Sequence, residues 1–126
     1  MNKLVVPNGI MLAEVSRLLS EGSDVVMMTK GSSMLPFIRG EKDSVLLRKT
    51  GHPEPGDVVL ARLGDGRYVL HRIWDMQGDE VTLMGDGNIR GREHCKAADI
   101  CGTVMEIQKG DGGTVNIVEK PSGKDV

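Results

Sequence analysis

Asp57-Val58-Val59-Leu60-Ala61-Arg62-Leu63-Gly64-Asp65-Gly66-Arg67-Tyr68-Val69-Leu70-His71-Arg72-Ile73-Trp74 is the stretch whose reading decides the fold. Two runs rich in β-branched and aliphatic residues, 57–62 and 67–74, flank a Gly-Asp-Gly cluster. Glycine and aspartate tolerate the positive φ that a tight hairpin turn demands, so the runs are predicted to pair as antiparallel strands. The same punctuation repeats outward from this hairpin: 24–29, 44–48, 80–85, 100–108 and 114–118 are further runs, with Gln77-Gly78-Asp79 as a second tight turn. Seventeen glycines among 126 residues fit a small curved sheet or barrel with many turns and bulges. Helical spacing occurs only near the start. Met11, Val15, Leu18 and Leu19 form one apolar face, opposite Glu14, Arg17, Ser20 and Glu21. Asn8 is placed to cap this helix and Gly22 to end it. The expected architecture is mainly β, a small curved antiparallel sheet or barrel with one N-terminal amphipathic helix. It is expected to be one domain over 1–126, with the helix at 8–21, the β core at 24–118 and a polar tail at 119–126.

Composition excludes several classes. Sixteen Lys and Arg against eighteen Asp and Glu leave a net charge of −2, which offers no cationic field for phosphate backbones. With Phe37, Tyr68 and Trp74 as the whole aromatic complement, there is no stacking platform for unpaired bases, and nucleic acid is not an expected partner. No apolar run approaches the roughly 18 residues of a membrane span, and Leu4-Val5-Val6 is too brief for a secretory signal. A cytoplasmic location is therefore expected. Cys95 and Cys101 read as free thiols; with His94 they lack paired Cys-x-x-Cys spacing and a fourth ligand, so neither a metal nor another cofactor is expected. His52, in Gly51-His52-Pro53-Glu54-Pro55, reads as a solvated turn residue, and Arg92 as ordinary surface.

Three segments could carry chemistry. In Gly31-Ser32-Ser33-Met34-Leu35-Pro36, two hydroxyls precede a proline-locked apolar stretch, which could expose a nucleophile on a rigid ledge; a plain turn is the bland alternative. A serine hydroxyl hardly ionises at neutral pH and needs a positioned base. His71 shares a strand face with Val69 and Ile73 by alternation, opposite Tyr68, Leu70, Arg72 and Trp74. An imidazole can act as a base at neutral pH with little tuning, although a histidine on an apolar face is often only structural. Asp86, in Gly85-Asp86-Gly87-Asn88, could be returned toward His71 by a hairpin and orient it, or could simply be a turn residue.

Taken in order and spacing, Gly31-Ser32-Ser33-Met34-Leu35-Pro36, Gly56-Asp57-Val58-Val59, Tyr68-Val69-Leu70-His71-Arg72-Ile73 and Gly85-Asp86-Gly87-Asn88 resemble the signal peptidase I and LexA-like serine peptidases over about residues 24 to 108. The resemblance implies Ser33 as nucleophile, His71 as general base in the place where most bacterial members carry lysine, and Asp86 as its assistant, with Asp99 resembling a second acidic position. It also implies a substrate-binding and oxyanion region at Ser32, Ser33, Met34 and Pro36. Gly31 stands where many signal peptidases carry an oxyanion-stabilising serine, which leaves the backbone N–H of Ser33 with most of that work. An extended peptide or precursor protein is the implied partner, bound by strand addition to the region 24–38, with small side chains preferred. The transmembrane anchor of signal peptidases is replaced by the amphipathic helix. Neither an Ala-Gly nor a Cys-Gly dipeptide precedes Ser33, which fits a self-processing regulator of the LexA type poorly. The competing class is a non-proteolytic β module that docks a partner on the Met34-Leu35-Phe37-Ile38 ledge.

Overall fold

A computed structural model describes residues 3–6, 12–29, 34, 38–40 and 42–116. The elements are β1 (Lys3–Val6), α1 (Leu12–Ser20), β2 (Asp24–Met28), β3 (Ser44–Arg48), β4 (Val58–Arg62), β5 (Tyr68–Gln77), β6 (Glu80–Gly85), β7 (Asn88–Lys96), a 3-10 turn at Ala97–Asp99, β8 (Ile100–Gln108) and β9 (Thr114–Asn116). The strands form one sheet in the order β1-β2-β3-β8-β4-β5-β6-β7, with β9 on β8. It is open, ending at β1 and β7, and every pairing is antiparallel except β1 on β2. The expected mainly β architecture with one N-terminal helix is the one observed, as a sheet and not a closed barrel.

Strand β4 lies inside the sheet and shows why its run is uninterruptedly apolar. Val58 and Leu60 enter one buried cluster while Val59 and Ala61 enter another, and all four are at most 1% exposed. Alternation along a strand sends neighbours to opposite faces, so a strand buried on both sides needs no polar positions. The first cluster is roofed by α1 through Val15 and Leu19. The helix ends where glycine was expected to end it. Gly22 takes φ +95°, its N–H reaches Leu19 O at 3.0 Å, and Ser23 N–H reaches Leu18 O at 3.1 Å. These two bonds satisfy the last carbonyls in the Schellman arrangement. The roof sits very close to the sheet: a Cβ on Gly102 would lie 2.8 Å from Leu19 Cδ1.

Several expectations need correction or fall outside the description. The described helix spans Leu12–Ser20, within the expected 8–21, and its expected cap Asn8 lies outside the described residues, as does the tail 119–126. The run 67–74 extends to Gln77 because Trp74 bulges out between Ile73 and Asp75, and the strand resumes with Met76 packed inward. Two strands were unanticipated. β1 is only four residues long, and β7 is mostly polar, with Cys95 the one buried core side chain among its described ones. The region 24–38 was expected to offer a free edge to substrate, yet β2 is flanked by β1 on one side and β3 on the other. The chain itself takes the backbone groups that strand addition would use.

Candidate active site

The segment bearing the serine motif leaves β2 and returns to β3, and its base is closed by an unusually complete polar clamp. Thr29, 4% exposed, lies with its hydroxyl 2.8 Å from Asp43 O and 3.2 Å from Arg39 O, while its N–H donates to Asp43 O at 3.1 Å. The Asp43 side chain is wholly inaccessible. It accepts from Arg39 N–H at 2.7 Å, Arg39 Nη2 at 2.9 Å, Lys109 Nζ at 2.7 Å and Gly110 N–H at 2.9 Å. Burial alone would raise its pKa, but the two cations and two amides together outweigh it and hold the carboxyl far below the usual carboxylate range. This clamp fixes both ends of the loop irrespective of what the loop carries.

Within the loop, Met34 and Ile38 are 4% and 2% exposed and join the first core cluster beneath α1, and Ile38 N–H donates to Met34 O at 2.9 Å. Ser32, Ser33 and Pro36 lie outside the described residues. The Sδ of Met34 accepts the backbone N–H of Asp86 at 3.3 Å. Met34 and the β6–β7 turn, far apart in sequence, are therefore adjacent.

His71 occupies the middle of the β4–β5 hairpin, paired with Val59. The turn that sets this register has Gly66 at φ +90°, with Leu63 N–H on Arg67 O at 2.7 Å. The imidazole is 14% exposed, and its Nδ1 lies 2.8 Å from Glu93 Oε1. The two atoms approach off the axis of a linear N–H···O bond; both are sealed from solvent and neither has another partner among the described residues. Glu93 Oε2 in turn faces Arg67 Nη2 at 3.4 Å, and Arg67 Nε donates to Asp65 at 2.8 Å. Burial lowers the His71 pKa below its ordinary 6.5, with Glu93 pulling the other way. The imidazole is thus neutral at neutral pH. With Nδ1 toward a carboxylate, the proton belongs on Nδ1 and the lone pair on Nε2, which is the form a general base requires.

Sequence reasoning missed Glu93. Ile73, Leu83 and Glu93 are matched in register across β5, β6 and β7, and the first two belong to the second core cluster. A carboxylate in that row is a signal, but only once β7 is known to be a strand and its bulge between Leu83 and Gly85 is counted.

Asp86 is near the imidazole but is not on it. Arg72 Nε donates to its Oδ1 at 2.7 Å and Arg72 Nη2 to its Oδ2 at 2.5 Å, while Arg72 Nη1 reaches Gly56 O at 2.8 Å. The arginine fork ties the β6–β7 turn to the entry of β4, and Asp86 acts on His71 through its charge alone. Asp99 accepts Lys96 N–H at 3.0 Å and caps the 3-10 turn. Cys95 and Cys101 are buried and unbridged; burial, with smaller contributions from Asp99 and Cys101, pushes the Cys95 thiol up to about 11, so it is no nucleophile at neutral pH. His52 is exposed, as expected for a turn residue.

His71 lies on the strand face of Val69 and Ile73, which belong to the second cluster, whereas Met34 packs in the first with Tyr68 and Leu70. Among the described residues no helix is long and apolar enough to cross a membrane. The family model for Peptidase S24-like proteins matches residues 5–105. A comparison with curated proteins gives no match.

Proposed function

The chain belongs to the Peptidase S24-like family, and on that premise we propose that it is a serine endopeptidase acting on an extended peptide or precursor protein. Ser33 Oγ attacks the scissile carbonyl as His71 Nε2 takes its proton. Charge develops on the carbonyl oxygen and is met by the backbone N–H of Ser33, with Ser32, Met34 and Pro36 shaping the surrounding region. The imidazolium then gives its proton to the departing amine, leaving an acyl-enzyme. Water, deprotonated by the same imidazole, attacks the ester, and Ser33 leaves with the returned proton.

The observation that carries this reading is the sealed contact between His71 Nδ1 and Glu93 Oε1 beside a pKa lowered by burial. It gives the imidazole the tautomer and neutrality of a base. Glu93 takes the orienting part that the sequence offered to Asp86, and Asp86 holds the β6–β7 turn against Met34. Incubating wild type and Ser33→Ala with candidate precursor peptides and following cleavage by mass tests the assignment. Products that require Ser33, with kcat/KM rising through a midpoint below pH 6.5, support it; identical behaviour of the two proteins refutes it.

One observation favours a second reading, a β module that binds without cutting. Met34 packs with Tyr68 and Leu70, on the face of β5 opposite to that of His71, and a loop that served only to dock a partner would not need to bring Ser33 to the imidazole. Equal peptide binding by wild type and Ser33→Ala, with no product from either, is the outcome that reading requires.

A further inference from the structure

The outer side of β2 is closed by the chain's own strand β1. Lys3, Leu4, Val5 and Val6 run parallel to Asp24, Val25, Val26 and Met27, residue for residue. Three features make this pairing exchangeable. It is the sole parallel pair in the described sheet, it is four residues long, and β1 has no second strand partner among the described residues. Parallel pairs are slightly weaker per residue than antiparallel ones, and a strand paired along one edge only is held by few bonds.

We infer that Lys3–Val6 is a resident occupant of a peptide-binding edge: an extended aliphatic segment of another polypeptide binds parallel to Asp24–Met27 by displacing it. The partner class follows from the occupant, whose Leu-Val-Val run has high strand propensity. Recognition is through the main-chain groups of β2, so aliphatic and β-branched segments of varied sequence are accepted. An occupied edge also sets the apparent affinity. If β1 is lifted for about 1–10% of the time, an incoming segment binds about 10- to 100-fold more weakly than it would to a free edge. In its consequence for substrate capture this inference rests on the peptidase reading; the binding step itself does not.

The test uses the full chain and a labelled peptide of residues 1–8 as probe, with binding read by fluorescence anisotropy. Leu4→Pro with Val5→Pro removes a ladder donor whichever of the two faces β2, and this variant is expected to bind the probe about 10- to 100-fold more tightly than wild type. In a second variant, Val6→Cys with Met27→Cys joins matched positions of the two strands, whose backbones lie about 4.8 Å apart, within the reach of a disulfide. Oxidised, it is expected to refuse the probe; reduced, to bind as wild type does. Equal affinity of wild type and the proline variant, or of the oxidised and reduced cysteine variant, overturns the inference. So does failure of every form to bind. Should circular dichroism show that the proline variant does not fold, the cysteine pair decides alone. Cleavage is scored separately: binding that responds to the lock with no Ser33-dependent product sinks the peptidase reading and leaves this one standing. Ser33-dependent cleavage indifferent to the lock leaves the peptidase reading standing and overturns the link between this edge and substrate capture.

Discussion

Two carboxylates, Asp43 buried outright and Glu93 buried at one oxygen only, are treated very differently. Asp43 has every oxygen engaged by aligned donors from Arg39, Lys109 and Gly110. Glu93 turns one oxygen toward Arg67 and the other toward an imidazole nitrogen it does not address squarely. A buried charge that is fully met serves architecture, because removing it strands its partners. A pair whose two facing atoms are sealed yet incompletely met is poorly explained by stability and well explained by a proton that must move. The loop clamp and the candidate base are therefore separable by mutation.

The sharpest separation comes from Ser33→Ala, which is expected to lower kcat/KM by about 10⁴- to 10⁶-fold while leaving the urea midpoint unchanged. A residual rate within tenfold of wild type would place the nucleophile elsewhere. Next in size is Asp43→Ala, expected to cost about 3–5 kcal/mol in equilibrium unfolding because Arg39 and Lys109 lose their counter-charge inside the clamp. A loss below about 1 kcal/mol would mean that the clamp is no more than a surface pair.

Glu93→Gln is expected to reduce kcat by about 10²-fold, with a change in unfolding free energy under about 1 kcal/mol. Its signature is in the pH profile. Glu93 raises the His71 pKa against the lowering by burial, so its neutralisation must move the kinetic midpoint to lower pH; an upward move would break the assignment. The smallest effect is on acid stability. The Asp43 pKa is lower folded than unfolded, so its contribution is complete above the unfolded value of about 3.8 and is lost as pH falls below it. Wild-type stability between pH 4 and 2 should consequently decline more steeply than that of Asp43→Ala, read by thermal melts.

How much of this was legible beforehand divides along the same line. Local rules were sufficient for the β4–β5 hairpin, where Gly66 takes the positive φ its turn needs, and for the helix end at Gly22. The twofold alternation of 68–73 placed Tyr68 and Leu70 in one cluster and Val69 and Ile73 in the other, as read. The elements missed were those whose partners lie far off. β7 has too few apolar residues for its period to stand out, and β1 is recognisable only by the strand it lies against. Glu93 fell with β7. The part offered to Asp86 rested on a turn motif and its place in sequence; Arg72, beside His71 and pointing to the opposite face, supplied a two-pronged partner no neutral imidazole can match.

The glycine beneath the helix has a reach beyond its own contact. Leu19 rests on position 102 with less clearance than a methyl group requires, and the same leucine shares its cluster with Met34 and Ile38 of the serine loop. Adding a single carbon at 102 would press first on the Leu19 side chain and, through it, on the cluster that holds Met34 and Ile38. The packing that holds Met34 and Ile38 is thereby tied to a glycine more than sixty places downstream.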